Sequence, residues 1–266
     1  MNKKIPSVKE VLESLFDEIV SDEFNRGKSW EYCYGYFKKN FVGKTNVNHD
    51  MASLQLMAYL ASWGMYRGSS NILSKNYQFL QGITKLLIKD EYTEIWNTNL
   101  NNISEASKSR RIGIILKLKE KIDNYFKKYN MNPTNTRTSK ILLGTMACSP
   151  AYDKYVKKGL RLLDYCQTFN YESLNQIIEF YNNHSEDFNY KNWYKSYNKV
   201  TSIVFPPMKL SDMYFWHLGF MLGVKESLDK CQNEAEKSKL TKKIAERRNF
   251  NEIKTKKYID KWLKTL

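Results

Sequence analysis

The hydrophobic residues of this 266-residue chain recur at helical spacing along almost its whole length. Val8, Val11, Leu12, Leu15 and Ile19 mark one face of a segment that opens on Ser7, with Glu10 three residues on. A serine that can accept the third backbone N–H, answered by a glutamate at that position, is a capping box, so a helix is predicted over Ser7–Val20. Trp30, Tyr34 and Phe37 line a second helix, Lys28–Phe41, which Gly43 stops. Met51–Tyr66 is apolar nearly all round and reads as a buried helix capped by Asp50. A turn with two glycines and two serines follows at 64–70. Beyond it a helix is expected over Asn71–Lys89 with Ser69 or Ser70 as cap, then a short helix and surface loop over Glu91–Asn102. Ile112, Ile115, Leu118, Ile122 and Phe126 stripe a long amphipathic helix over Ser104–Tyr129.

Between Asn132 and Leu160 the pattern predicts a turn, a short apolar helix, a tight connection through Pro150, and a second helix opening at Ala151-Tyr152-Asp153. Tyr152–Thr168 and Tyr171–Asn182 read as a helical pair joined at Asn170, and Phe188–Lys199 as aromatic but irregular. Thr201–Phe205 has strand character, but it is too short and isolated to found a sheet, and Pro206 and Pro207 end it. Leu210–Leu222 is an apolar helix with Ser211-Asp212 at its start. From Lys225 the composition turns to Lys, Glu, Asn and Gln, with Tyr258, Ile259, Trp262 and Leu263 as a small docking face. The expected fold is all-α: a single compact multi-helix domain over residues 1–224 and a basic helical C-terminal extension over 225–266.

Charge adds a partner to this outline. The formal net charge is +15 and the sequence pI about 9.4. That favours an anionic partner, double-stranded DNA first and an acidic membrane surface second, although a lysine-rich codon bias yields the same excess. Cys33, Cys148, Cys166 and Cys231 are scattered with no C-x-x-C pair, so no metal or cofactor is expected. The near-apolar run Met51–Met65 contains Gln55 and falls short of the roughly 18–20 residues of a membrane span. The N-terminus turns acidic early and lacks a signal-peptide core. A cytoplasmic monomer with no membrane association is the expectation.

One stretch carries a family resemblance. Thr138-Ser139-Lys140-Ile141-Leu142-Leu143-Gly144-Thr145, followed by Pro150-Ala151-Tyr152-Asp153-Lys154-Tyr155-Val156, resembles the second half of the helix-hairpin-helix DNA glycosylase superfamily. In that family a hairpin grips a DNA phosphate, an apolar helix follows, and a segment after a proline carries the catalytic aspartate. The resemblance implies a helix-hairpin-helix glycosylase-like fold and Asp153 as that aspartate. It also implies a phosphate grip at Thr136, Arg137, Thr138, Ser139 and Lys140, with Lys154 beside it. The chain departs from the pattern in three ways. Asn132-Pro133-Thr134-Asn135 replaces the glycines of the hairpin, and the link before Asp153 is about two residues shorter. Arg137 stands nearest the place where some members carry a Schiff-base lysine, with Lys140 about one helical turn on. A monofunctional enzyme that uses water and leaves an abasic site is therefore expected.

Other residues complete the candidate site. Trp63, Tyr66 and Tyr152 read as aromatic walls for an extruded base, and Arg67, Ser69 and Ser70 as further DNA contacts; a tight helix corner around a core tryptophan is the alternative for Trp63. Asp212 is a second carboxylate, read as a helix cap and held as the backup acid. For Asp153 too, the cap is an alternative to catalysis. His217 reads as a satisfied histidine of a buried helix. Three readings stay open: a glycosylase-like enzyme acting on a damaged or modified base (a phage-modified base among them), a non-catalytic DNA-binding module, and a helical protein-interaction module.

Overall fold

The computed structural model describes residues 5–67, 71–100, 103–189, 203–248 and 252–264 (backbone alone at 247 and 248), and every regular element among them is helical. Helix α1, Val8–Ser21, opens on the capping box its sequence spells. The Ser7 hydroxyl accepts the Glu10 N–H at 3.2 Å, and the Glu10 carboxylate accepts the Ser7 N–H at 3.4 Å. Helix α2, Lys28–Phe41, matches its pattern. Helix α3, His49–Ser62, is capped by Asn48, whose side chain accepts the Met51 N–H at 2.9 Å; Asp50 instead accepts from Tyr77 and Gln81.

The single helix expected over Asn71–Lys89 does not form. The chain runs through two 3₁₀ turns, Asn71–Ser74 and Tyr77–Leu80, into the short helix α4, Gln81–Leu87, and a third 3₁₀ segment, Asp90–Trp96. Asn76 breaks the pattern, because its side chain accepts the Gln78 N–H at 3.1 Å and restarts the chain as a cap. Residues 68–70, with the proposed caps Ser69 and Ser70, lie outside the described residues.

Helices α5 (Glu105–Lys128), α6 (Asn135–Thr145), α7 (Lys154–Leu162), α8 (Tyr171–Asn183) and α9 (Ser185–Asn189) come next. α7 stops well before Thr168, and Asp164 beyond it takes a left-handed φ of 57°. Residues 203–205 carry no regular structure, and residues 190–202, which hold most of the irregular aromatic stretch, lie outside the described residues. Helices α10 (Pro207–Leu228), α11 (Glu234–Arg248) and α12 (Glu252–Leu263) complete the chain.

The core lies between α2, α3, α5, α6 and α10, where Trp30, Phe37, Leu56, Leu60, Phe126 and Phe215 are fully buried. α7 and α10 cross closely enough that a Cβ on Gly159 would stand 2.0 Å from the Phe215 carbonyl oxygen, and one on Gly219 1.7 Å from that of Tyr155. Only glycine permits that approach. Lys158 and Glu226 form an ion pair across the same crossing. α10 passes residue 224 without a break, so the expected boundary between body and extension falls inside a helix. The docking face at the C-terminus does pack on α10. Ile259 and Trp262 are buried, the Trp262 ring meets His217 edge-on at 4.5 Å, and the Tyr258 hydroxyl lies 3.0 Å from His217 Nδ1. Among the described residues no helix is long and apolar enough to cross a membrane.

Candidate functional site

The site is built around two carboxylates from different helices. Asp153 caps α7: its Oδ1 accepts the Tyr155 N–H at 2.9 Å and the Val156 N–H at 3.1 Å. Its other oxygen, Oδ2, lies 3.3 Å from Lys140 Nζ, and the Lys140 side chain is only 6% exposed. Asp212 is not the cap that its sequence position suggests. Proline fits the first helical position, so α10 begins at Pro207 and Asp212 falls in its second turn. From there Oδ1 accepts the Ala151 N–H at 2.9 Å and Oδ2 meets Lys209 Nζ at 3.2 Å. The bond to Ala151 ties α10 to the α6–α7 connection and brings Asp212 beside Asp153. Burial pushes the Asp212 carboxyl up; Lys209 and the Ala151 N–H oppose the rise, and the Asp153 charge adds to it.

Both carboxylates and both lysines line one cavity of about 230 Å³. Tyr59 and Trp63 form an aromatic wall. Tyr59 can press against α6 because position 144 is glycine; a Cβ there would stand 2.2 Å from the Tyr59 ring. Burial first, and then the charges of Asp212 and Asp153, holds the Tyr59 phenol well above its ordinary range, so it remains a neutral donor. The Trp63 indole donates to Ser29 Oγ at 3.1 Å. Its ring has three cations within reach: Arg26 Cζ at 4.6 Å, Lys140 Nζ at 5.1 Å and Lys209 Nζ at 5.7 Å from the centroid. The remaining lining comes from α1, the α1–α2 loop, Leu143, Ala151, Phe205, Met213, Trp216 and Glu246. Glu18, Asp22 and Glu246 join the two aspartates, so five acidic side chains face three basic ones. The cavity is locally acidic in a chain of net charge +15.

The structure sorts the predicted residues. Asp153, Asp212, Lys140 and Trp63 meet in the cavity. Tyr66 is half-buried and Arg67 exposed, and neither is part of the lining. Tyr152 is corrected: its ring is fully buried, stacked on Phe169 at 4.7 Å, and its hydroxyl donates to Ser173 at 2.9 Å, so it serves the core and not a base pocket.

The phosphate grip is corrected as well. Arg137 is buried over the Phe126 ring at 3.7 Å and donates to the Asn132 carbonyl at 2.7 Å. Thr138 donates to Asp123 at 2.5 Å, and Ser139 donates to the Asn135 carbonyl while accepting the Tyr152 N–H at 2.7 Å. Thr136 donates to the Tyr152 carbonyl at 2.8 Å. These groups spend their bonds inside the protein, which leaves Lys154, exposed in the first turn of α7, as the surface cation of the stretch.

Sequence reasoning passed over Lys209, Tyr59, Trp216 and the α1–α2 loop. Lys209 did carry a signal, since it precedes Asp212 by three residues and that spacing puts both on one helix face. The loop carried none. Among the described residues no group of three or more His, Cys, Asp and Glu side chains is placed to hold a metal ion. Comparison of the chain with protein-family models, with curated proteins and with solved structures found no match.

Proposed function

We propose that this chain is a DNA glycosylase-like hydrolase that breaks the N-glycosidic bond of a base turned out of the duplex. The observation that carries the reading is the cavity in which Asp153 and Asp212, each with its own lysine, face the wall formed by Trp63 and Tyr59. Breaking the C1′–N bond sends its electrons to the base and leaves oxocarbenium-like positive charge on the sugar. A carboxylate fixed in advance stabilises that charge, and Asp153 is held by two backbone N–H groups and Lys140. Water then adds to C1′ and gives up a proton; Asp212, with its carboxyl raised by burial, is the base for it. Trp63 offers a stacking platform. The charge distribution suits the substrate, because a basic exterior attracts the phosphate polyanion while an acidic interior favours the cationic sugar.

The two modular alternatives call for a filled interior at this place, and the cavity weighs toward the enzyme. Lys140 also bears on the expected chemistry. Its amine stands beside Asp153, which removes the argument for water as the sole nucleophile; trapping with borohydride separates hydrolysis from a lysine adduct.

The test incubates the protein with duplexes carrying normal and modified bases, followed by alkali. Strand breaks that disappear in Asp153→Asn are the expected result. Asparagine caps a helix as well as aspartate does, but the exchange also removes the counter-charge of buried Lys140. A thermal melt therefore accompanies the assay, and lost breaks in a folded variant report chemistry. Breaks that persist in the variant reject the assignment.

A further inference from the structure

Helix α12 presents a different side chain chemistry on each of its faces. Thr255, Ile259 and Trp262, spaced by four and three, are buried where the helix lies on α10. Glu252, Lys256 and Asp260, spaced by four, face the cleft against α11, with Ile253 and Leu263 beside them. Lys254, Lys257 and Lys261, with Lys264 just past the helix end, are spaced by three, four and three and are exposed. At about 100° per residue, this lysine strip is centred about 150° around the helix from the buried one. Both acidic residues of the helix, Glu252 and Asp260, belong to the cleft, so the lysine strip holds no acid. Lys261 is also braced, its Nζ lying 4.6 Å from the centroid of the buried Trp262 ring.

Resting on the glycosylase reading, we propose that this lysine strip on α12 is the surface that holds the phosphate backbone of duplex DNA beside the cavity. Ten residues of helix rise about 15 Å. One strand of a duplex carries a charge about every 3.4 Å along its axis, so the four ammonium groups span about four or five phosphates. Ammonium groups on flexible stems meet phosphates as point charges and fix position without reading sequence. The place suits the site. α12 packs on His217, five residues and about 7.5 Å along α10 from Asp212. Glu246 of the neighbouring α11 lines the cavity itself. Packed helix axes stand about 8–10 Å apart, so the strip lies within about 34 Å, one turn of duplex, of the two carboxylates. A membrane surface asks instead for a broad apolar face beside the cations. α12 uses Ile259 and Trp262 on α10, which leaves Ile253, 71% exposed, at the edge of the strip.

The test measures binding of the full chain to an unmodified fluorescent duplex by anisotropy across a salt series. The triple variant Lys254→Gln, Lys257→Gln, Lys261→Gln is expected to flatten the slope of log K against log salt by about 2–3, about 0.9 for each lysine. Glutamine nearly matches lysine in helix propensity, and a thermal melt checks the fold. A second triple variant, Lys39→Gln, Lys44→Gln, Lys75→Gln, removes the same charge from other exposed positions and is expected to keep the wild-type slope. Equal flattening in both variants means diffuse charge and overturns the surface. The base-release assay separates this proposal from the reading it rests on. If wild type releases base while the α12 variant keeps the full slope, the surface falls and the enzyme stands. If the slope flattens as expected and no duplex loses a base, the surface stands and the enzyme falls. Wild type that binds no duplex overturns both. Sedimentation with phosphatidylserine vesicles that the α12 variant loses, with duplex binding unchanged, assigns the strip to a membrane and overturns the proposal.

Discussion

The crossing of α7 and α10 makes a sharp prediction, because one methyl group at Gly219 collides with backbone rather than with a side chain that can turn away. An added Cβ would stand 1.7 Å from the Tyr155 carbonyl oxygen, 2.6 Å from its carbon and 2.8 Å from the Gly159 nitrogen. Non-bonded heavy atoms settle near 3.5–4.0 Å, so the helices must part by roughly 1.5–2 Å at that point. Overpacking of a tight interior costs about 1–3 kcal/mol when side chains can adjust. Here neither partner can, and Gly219→Ala is expected to cost about 3 kcal/mol or more. For a chain of this size that is a fall in Tm of about 6–12 °C or more. The same displacement moves Asp153, which caps α7, relative to Asp212 on α10, so base release is expected to fall by more than the loss of folded protein accounts for. Gly113→Ala is the matched control. It lies exposed on α5 with open space around the new Cβ, and is expected to stabilise by about 0.5–1 kcal/mol. Thermal melts by circular dichroism, checked by urea midpoints, read both. A Gly219→Ala protein that melts within the error of wild type refutes the close crossing, and with it the account of how the carboxylates are brought together.

Two further expectations follow from the placement of single groups. Arg137→Ala removes a buried cation–π contact and leaves the Asn132 carbonyl without its donor, a loss of about 2–3 kcal/mol and a Tm lower by about 4–12 °C, with the salt dependence of DNA binding unchanged; a stable variant with a shallower salt slope would return Arg137 to the phosphate grip. Asp212 sets a pH dependence. A carboxyl raised in the folded state contributes stability that is complete below its unfolded value, about 3.9, and is lost as pH rises through the folded value. The stability of wild type relative to Asp212→Asn is therefore expected to shrink as pH climbs above about 4, and urea midpoints showing a gap that widens with pH contradict the burial argument.

What was legible in the chain follows the range of the forces involved. The Ser7–Glu10 capping box and the Asn170 and Asp153 caps all act within three residues, and each is readable in the sequence. Asn76 acts just as locally and was missed, because its effect competes with an apolar pattern that continues on both sides. Residue type misled where the tertiary surroundings decide which way a side chain faces. Arg137 and Tyr152 look like ligand-binding residues, yet one is sealed over Phe126 and the other against Phe169.

The helical class and the bounds of α1, α2, α5 and α8 were therefore determined by the sequence itself, since periodicity and capping are local and need no partner. The site was decided by tertiary structure. Asp212 reaches Ala151 across 61 residues of sequence, and Trp30 binds the Leu143 carbonyl across 113. Asp153 and Asp212 share a cavity because Gly159 and Gly219 let two helices touch at the backbone. No spacing in the chain records that contact, because it depends on how the whole core packs.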